Sequence, residues 1–362
     1  MISSNTTVLI SPLNWGLGHA SRCIPLINFL IDQGCIVVVC GNGESLKLLK
    51  DEFPELHYEL LPKYSIRYSK NPRWFALKML LHLPRFFNSI RKDFAATKLI
   101  CKKHKPQLII SDNRYGFRNP EITSILITHQ TKPLLPKSIR AFSNLVWKRL
   151  EKKMNVFDEV WIPDFEFEPN LSGILSHNNS NLKKGIYIGP LSRFSKIDTT
   201  NTQNSILAIA SGPEPHRSEF EKMVLVLAEK TDLHFTLLQG KPGRTNNSQS
   251  KNLVCYNHLN TKELKTLFER CSVVLTRSGY SSIMDMAAML KKAILIPTPG
   301  QSEQNYLIEH LVNHELFSVY NPKTDDFLKI YKEINNRHIQ NSNLDNTNAL
   351  LHIKNTLIQF SE

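Results

Sequence analysis

The 362-residue chain carries 45 Lys and Arg against 32 Asp and Glu, a formal net charge of +13, with 41% hydrophobic and 21% charged residues. That composition excludes a disordered, collagen-like or integral membrane chain, and at roughly 100–200 residues per domain it leaves room for two cores. The positive excess points to an anionic partner: nucleic acid, an acidic membrane surface or a phosphorylated substrate.

In chain order, short apolar runs predict strands at Thr7–Leu13, Ile36–Gly41, Leu56–Leu61, Gln107–Asp112, Ile122–His129, Glu159–Asp164 and Ile186–Leu191. Between them lie stretches with three-to-four-residue apolar spacing, including Ala20–Asp32, Trp74–Lys103 and Lys137–Met154, which read as helices. Ser192–Ser205 is polar, Thr/Asn-rich and without apolar period, and reads as a linker. The alternation restarts with strands at Ile206–Ala210, His234–Gln239, Leu253–Tyr256, Val273–Thr276 and Ala293–Pro297. Helices are expected at Arg217–Glu229, Thr261–Arg270, Ser281–Leu290, Glu303–Asn313 and Leu344–Gln359. Strand–helix–strand alternation with near-continuous apolar strands predicts an α/β fold with two parallel, doubly wound, Rossmann-like domains in tandem. The expected division is a domain over 1–191, a linker over 192–205, a domain over 206–340 and a C-terminal helix over 341–362. Such domains bind ligands outside the carboxyl ends of their strands, here in a cleft expected between the two.

Six cysteines, Cys23, Cys35, Cys40, Cys101, Cys255 and Cys271, show no C-x-x-C spacing. They read as buried free thiols of a reducing compartment rather than a zinc or redox site. No signal-peptide pattern opens the sequence, and no run reaches the ~20 apolar residues of a spanning helix. The expected location is cytoplasmic, with any membrane contact peripheral.

Two strand-to-helix turns have the chemistry to hold an anion. After the first strand comes Asn14-Trp15-Gly16-Leu17-Gly18-His19-Ala20-Ser21-Arg22. Gly16 and Gly18 let backbone approach a ligand closely, and the helix start offers unpaired N–H groups. It is not a dinucleotide fingerprint, since the third glycine would fall at Ser21. After the strand ending at Thr276 come Arg277, Ser278, Gly279, Tyr280, Ser281 and Ser282, small residues that open a helix and suit a diphosphate. Asp285 lies one turn in, within reach of ribose hydroxyls. The next strand ends at Pro297-Thr298-Pro299-Gly300, followed by Gln301, Glu303, Gln304 and Asn305, a polar set suited to sugar hydroxyls.

These residues resemble the two-domain GT-B glycosyltransferases, and most of all glycosyltransferase family 28, the MurG-type N-acetylglucosaminyltransferases and their bacterial relatives. The segment from Thr276 to Pro297 is similar to that family's R-x-G-x-x-T/S-x-x-E region, with Asp285 where the family usually has Glu. Glu303-Gln304-Asn305 resembles its D/E-Q-x-N segment, Gly16–Arg22 its first glycine loop, and Thr128-His129-Gln130 an H-E-Q-like stretch. Ser211-Gly212-Pro213-Glu214-Pro215-His216-Arg217 stands where the family has a glycine-rich loop followed by Arg. Two prolines stiffen it and remove donors, while Arg217 keeps the position of a nucleotide contact. The resemblance implies a UDP-sugar donor, a metal-independent reaction without cofactor, inversion, and a glycan or lipid-linked acceptor of the cell envelope. A nucleotide-sugar hydrolase and a non-catalytic nucleotide-sugar-binding protein are the alternatives on the same scaffold.

A nucleotide sugar brings its own leaving group, so the protein must hold diphosphate charge and remove a proton from the attacking hydroxyl. Positive helix ends and Arg277 suit the first task. For the second, His19 titrates in the useful range. Asp112 ends a strand in the same domain and is the candidate to orient it, as a similarly placed pair does in plant UDP-glycosyltransferases; His129 is the rival base. Asp164-Phe165-Glu166 and Asp325-Asp326 read as solvated turns rather than metal ligands.

Finally, Lys63–Lys105 holds twelve Lys or Arg and one acid, Asp93, interleaved with Trp74, Phe75, Phe86, Phe87 and Phe94. Lys137–Lys153 is a second basic segment. Basic residues beside aromatics suit a helix on anionic lipid, or one whose apolar residues face the core while its charges face water; no helix-turn-helix, RNP or zinc-finger pattern supports nucleic acid.

Overall fold

The computed structural model describes residues 6–64, 72–134, 143–177, 182–197, 203–212, 214–241 and 248–339, with the side chains of 72–83 and 248–250 excepted. The expected helix Leu344–Gln359, the piece over 341–362 and Pro213 lie outside them. Two compact units result. The first holds β1 (Thr7–Pro12) and His19–Leu191; the second holds Trp15–Gly18 and the chain from Ser192 through residue 339.

In the first unit, the strands are β1, β2 (Ile36–Gly41), β3 (His57–Leu60), β4 (Leu108–Asp112), β5 (Thr123–Ile127), β6 (Glu159–Ile162) and β7 (Gly185–Tyr187). They form one sheet in the order β3-β2-β1-β4-β5-β6-β7, with every pairing parallel. The helices are α1 (Gly18–Asp32), α2 (Gly43–Glu52), α3 (Pro72–His104) and α4 (Ser143–Met154). Val8, Leu9, Ile10, Ile109 and Ile110 are fully buried, as strands covered on both faces must be. The chain order reverses between β1 and β4, and a ligand crevice opens at such a switch point.

α3 is seated on this sheet by a buried ion pair. Arg114 donates from Nε to Asp93 Oδ2 (2.9 Å) and from Nη2 to Asp93 Oδ1 (2.5 Å) and the Pro62 carbonyl (3.0 Å). Gly116 allows the close approach: a Cβ there would lie 2.2 Å from the Ile90 carbonyl oxygen. Phe86 and Phe87 pack against the cluster of Ile90, Tyr115, Leu126 and Val146, and Phe94 is flanked by Lys98 and Arg118 at 4.9 Å. Phe86 and Phe87 are thereby taken up by the unit's own core, as on a helix whose apolar residues face inward. Trp74 and Phe75 are among the undescribed side chains.

The second unit repeats the plan. Its strands are β8 (Ser205–Ile209), β9 (His234–Leu238), β10 (Ser248–Ser250), β11 (Leu253–Tyr256), β12 (Val273–Arg277), β13 (Ala293–Ile296) and β14 (Phe317–Val319). The order is β10-β11-β9-β8-β12-β13-β14, parallel except for the β10–β11 edge. The helices are α5 (His216–Lys230), α6 (Thr261–Arg270), α7 (Tyr280–Met289), α8 (Ser302–Leu311) and α9 (Phe327–Asn336). The switch point lies between β8 and β12. The polar segment expected as a linker is not free at its start. Phe194 is buried edge-on against Phe268 (5.1 Å), and Arg193 donates to Thr261 Oγ1 (3.1 Å). One aromatic ring and one arginine among many polar residues dock it.

Candidate active site

At the switch point of the first sheet, β1 and β4 end side by side, Pro12 registered with Asp112. The loop after β1 turns at Gly16, whose φ of +89° favours glycine. It then enters α1 at Gly18. One turn of α1 carries His19 and Arg22, three apart and so on one face. Arg22 is only 2% exposed and Asp112 is fully buried. Two buried opposite charges persist when each satisfies the other, and here they do. Arg22 donates from Nε to Asp112 Oδ2 and from Nη2 to Oδ1. His19 Nδ1 lies 2.7 Å from the same Oδ1 and 2.8 Å from Arg22 Nη2.

The structure thus brings His19, Asp112 and His129 into one cluster through Arg22, whose Nη1 lies 3.3 Å from His129 Nδ1. Burial alone would raise the Asp112 carboxyl, but Arg22 and His19 outweigh it and hold it at about 2. Burial lowers the pKa of His19, Asp112 opposes that, and Arg22 adds to it. The net result is a neutral imidazole at neutral pH, 13% of its side chain exposed. Cys23 Sγ, 3.9 Å from Asp112 Oδ2, stays a thiol because burial raises its pKa. Arg22 was absent from the sequence-derived site. Its signal was its i+3 spacing from His19 as the only Lys or Arg of α1.

Asp164 is corrected more sharply. The residue expected in a solvated turn is fully buried. It accepts from the amides of Phe165 (2.8 Å), Leu171 (2.9 Å) and Ser172 (2.8 Å) and from His177 Nε2 (3.3 Å). It ties down the loop whose Leu175 carbonyl receives Lys132 N, two residues past Gln130. Asp326 caps α9 by accepting from the Leu328 and Lys329 amides.

In the second unit, β12 delivers Arg277, Ser278 and Gly279, and α7 begins at Tyr280 with Gly279 as its N-cap. Ser281 and Ser282 sit in its first turn, and Tyr280 is buried. Arg277 does not reach outward: Nη1 donates to the Pro297 carbonyl (2.9 Å), Nη2 to the His216 carbonyl (3.1 Å), and the guanidinium lies over Phe220 (5.4 Å). It ties the end of β12 to the loop after β13 and to the start of α5. Ser278 donates to the Gln304 carbonyl (3.2 Å), and Gln304 Oε1 accepts from Thr298 N (2.9 Å) while its Nε2 donates to Gln301 Oε1 (2.7 Å). Gln301 and Gln304 thus lock the two strand ends together; Asn305 is exposed and Glu303 half-buried. Asp285 accepts from Ser192 Oγ (2.6 Å), and burial pushes its carboxyl up to about 6 against the pull of Arg193. Near β8, Ser211 and Gly212 (φ +90°) open the loop. Just past it, in the first turn of α5, Arg217 pairs with Glu214 (3.0 Å) and donates to the Gly240 carbonyl (3.2 Å).

Two doubly wound parallel sheets, each with polar groups at its switch point, define the GT-B architecture, and the comparisons agree. Residues 218–349 match the glycosyltransferase family 28 C-terminal domain. The chain is 23% identical over 297 residues to the UDP-N-acetylglucosamine–N-acetylmuramyl-(pentapeptide) pyrophosphoryl-undecaprenol N-acetylglucosamine transferase of Sulfurihydrogenibium sp. (strain YO3AOP1), covering 81% of this chain and 79% of that one. Among solved structures it is similar to Arabidopsis thaliana UGT89C1 complexed with quercetin (TM-score 0.61, 12% identity, 98% of this chain and 99% of that one). It is also similar to Acinetobacter baumannii MurG (TM-score 0.53, 13% identity, 98% and 99%). The chain is a glycosyltransferase, and its second unit carries the C-terminal domain of family 28.

Proposed function

We propose that the chain moves a sugar, N-acetylglucosamine in the first instance, from a UDP-sugar to a hydroxyl of a lipid-linked or envelope glycan, with inversion and without a metal ion. The observation that carries this reading is the His19–Asp112 contact of 2.7 Å at a sheet switch point. Asp112, held ionised, accepts a hydrogen bond from His19 Nδ1–H and leaves Nε2 as the base. The acceptor hydroxyl gives its proton to Nε2 as its oxygen attacks the anomeric carbon. The bond from that carbon to the diphosphate oxygen breaks, and UDP leaves with the electron pair. A single displacement from the opposite face inverts the centre.

The leaving charge is assigned to the amides at the start of α7, over Ser278–Ser282, with Asp285 on the ribose. Gly16, Gly18, Ser211, Gly212 and Arg217 complete the nucleotide-sugar set, and Gln301, Glu303, Gln304 and Asn305 face the sugar. Among the described residues no three His, Cys, Asp or Glu side chains are grouped so as to hold a metal. No described helix is long and apolar enough to cross a membrane. A peripheral position on an anionic cytoplasmic membrane face is proposed from the exposed Arg85, Arg91, Lys92, Lys98, Lys148, Arg149 and Lys152.

The test is a screen of nucleotide sugars by thermal shift and turnover. A true donor at about 100 times its Kd should add about 2.7 kcal/mol of stability, and turnover should survive EDTA. A chain that turns over no UDP-sugar, or loses all activity to EDTA and regains it with manganese, contradicts the proposal.

A further inference from the structure

Three consecutive residues at the start of the second unit's main segment, Ser192, Arg193 and Phe194, join two of its helices. Phe194 is buried with its ring edge-on to Phe268 of α6 (5.1 Å). Arg193 Nη1 donates to Oγ1 of Thr261, the first residue of α6 (3.1 Å). These contacts seat the tripeptide on α6, and Ser192 then bridges to α7. Its Oγ accepts from the Phe194 amide (3.1 Å) and lies 2.6 Å from Asp285 Oδ1. A hydroxyl has one hydrogen to give. The Phe194 amide is itself a donor, so that hydrogen goes to the carboxylate, and 2.6 Å is the length of a charge-assisted O–H···O bond. The hydroxyl is thus held from both sides. Asp285 needs such a guide, because the last torsion of an Asp side chain is broad and roughly two-fold. Its contacts set the plane of the carboxylate. Among the described residues Ser192 is the one hydrogen-bond donor to Asp285. The side chain is half-buried, so a ligand can reach it.

We propose that Ser192 is a positioning residue of the nucleotide site: by engaging Oδ1 it turns the Asp285 carboxylate to present Oδ2 to the ribose hydroxyls, and it makes tight binding depend on those hydroxyls. The inference rests on the reading of Asp285 as the ribose contact. A carboxylate aligned before the ligand arrives costs less to order on binding, and an ionised acceptor makes the stronger bond to a hydroxyl. Ser192 and the neighbouring Arg193 both favour the ionised form against burial.

The test is calorimetry on the full-length protein, above the Asp285 pKa of about 6, with UDP and with dideoxyuridine diphosphate, which lacks both ribose hydroxyls. Ser192→Ala should weaken UDP binding by about 3–10-fold, the worth of ordering one side chain at a binding site, and leave the affinity for the dideoxy compound unchanged. Ser192→Thr keeps the hydroxyl and should bind UDP as the wild type does. In turnover, Ser192→Ala should raise KM for the UDP-sugar with kcat little changed, because a ribose contact is the same in ground and transition states. Unchanged UDP affinity in Ser192→Ala overturns the proposal. So does improved affinity, since the serine would then compete with the ribose rather than aim its partner. An equal loss for both nucleotides also overturns it, being what a merely loosened segment would give. Asp285→Ala that binds UDP as tightly as the wild type would instead overturn the ribose reading itself, so the two failures are told apart.

Discussion

At the scale of single residues the balance around Asp112 decides what the site can do. A carboxylate held at about 2 stays ionised over the whole working range and can accept from His19 throughout. His19→Ala should lower kcat by about 10²–10⁴-fold, the usual worth of a general base, measured against an unchanged UDP affinity by calorimetry. Because burial lowers the pKa of His19 from 6.5, the neutral form dominates at pH 7, and the acid limb of kcat/KM should fall below pH 6.5. A limb above pH 7 would show that Asp112 outweighs burial. Asp285 has the opposite sign. Its carboxyl is raised to about 6 in the fold, against about 3.9 unfolded. The folded state therefore loses stability as pH climbs from about 4 to about 6. Asp285→Asn should gain on the order of 2 kcal/mol at pH 7.5 and almost nothing at pH 4 in urea denaturation. The same change should weaken UDP binding, since the amide is a poorer acceptor for ribose. Unchanged UDP affinity would remove Asp285 from the site.

At the scale of elements, the buried Asp93–Arg114 pair fixes α3. Asp93→Ala leaves Arg114 charged and dry, and should cost about 3–5 kcal/mol; the double replacement with Arg114→Met should recover much of that loss. Legibility in the sequence also divides at this scale. The parallel core strands were readable because burial on both faces demands unbroken apolar runs such as those of β2 and β13. β10 and β14 were not readable, being three-residue edges whose identity comes from a neighbour's open hydrogen bonds rather than from their own side chains. In the candidate site, His19 and Asp112 could be paired because each borders a strand end. Arg22 could not be placed, because nothing in its local sequence marks an arginine of an amphipathic helix as buried rather than solvent-facing. Asp164 looked like a turn residue because proline and acidic neighbours hide a carboxylate whose partners are backbone amides.

For the whole molecule, charge and chain order set behaviour. Asp93, the one acid of Lys63–Lys105, is buried, so the exposed charges of α3 past residue 83 are all positive. Each Lys or Arg near an anionic surface is worth about 1 kcal/mol. Vesicle co-sedimentation should therefore require anionic lipid, weaken with salt, and collapse when Arg85, Arg91 and Lys92 are reversed together. Binding to neutral vesicles, or none to acidic ones at low salt, would count against the membrane reading. The register of the first sheet has a further consequence in the order of synthesis. β1 pairs with β4 through contacts such as Val8 with Leu108, and translation runs at roughly 5–20 residues per second. One edge of β1 is therefore without its partner for roughly 5–20 s after it leaves the ribosome. An apolar strand edge in that condition is a template for aggregation. Catalytic competence is a late event in the making of the chain, and a product released before Asp112 is expected to aggregate rather than show weak activity.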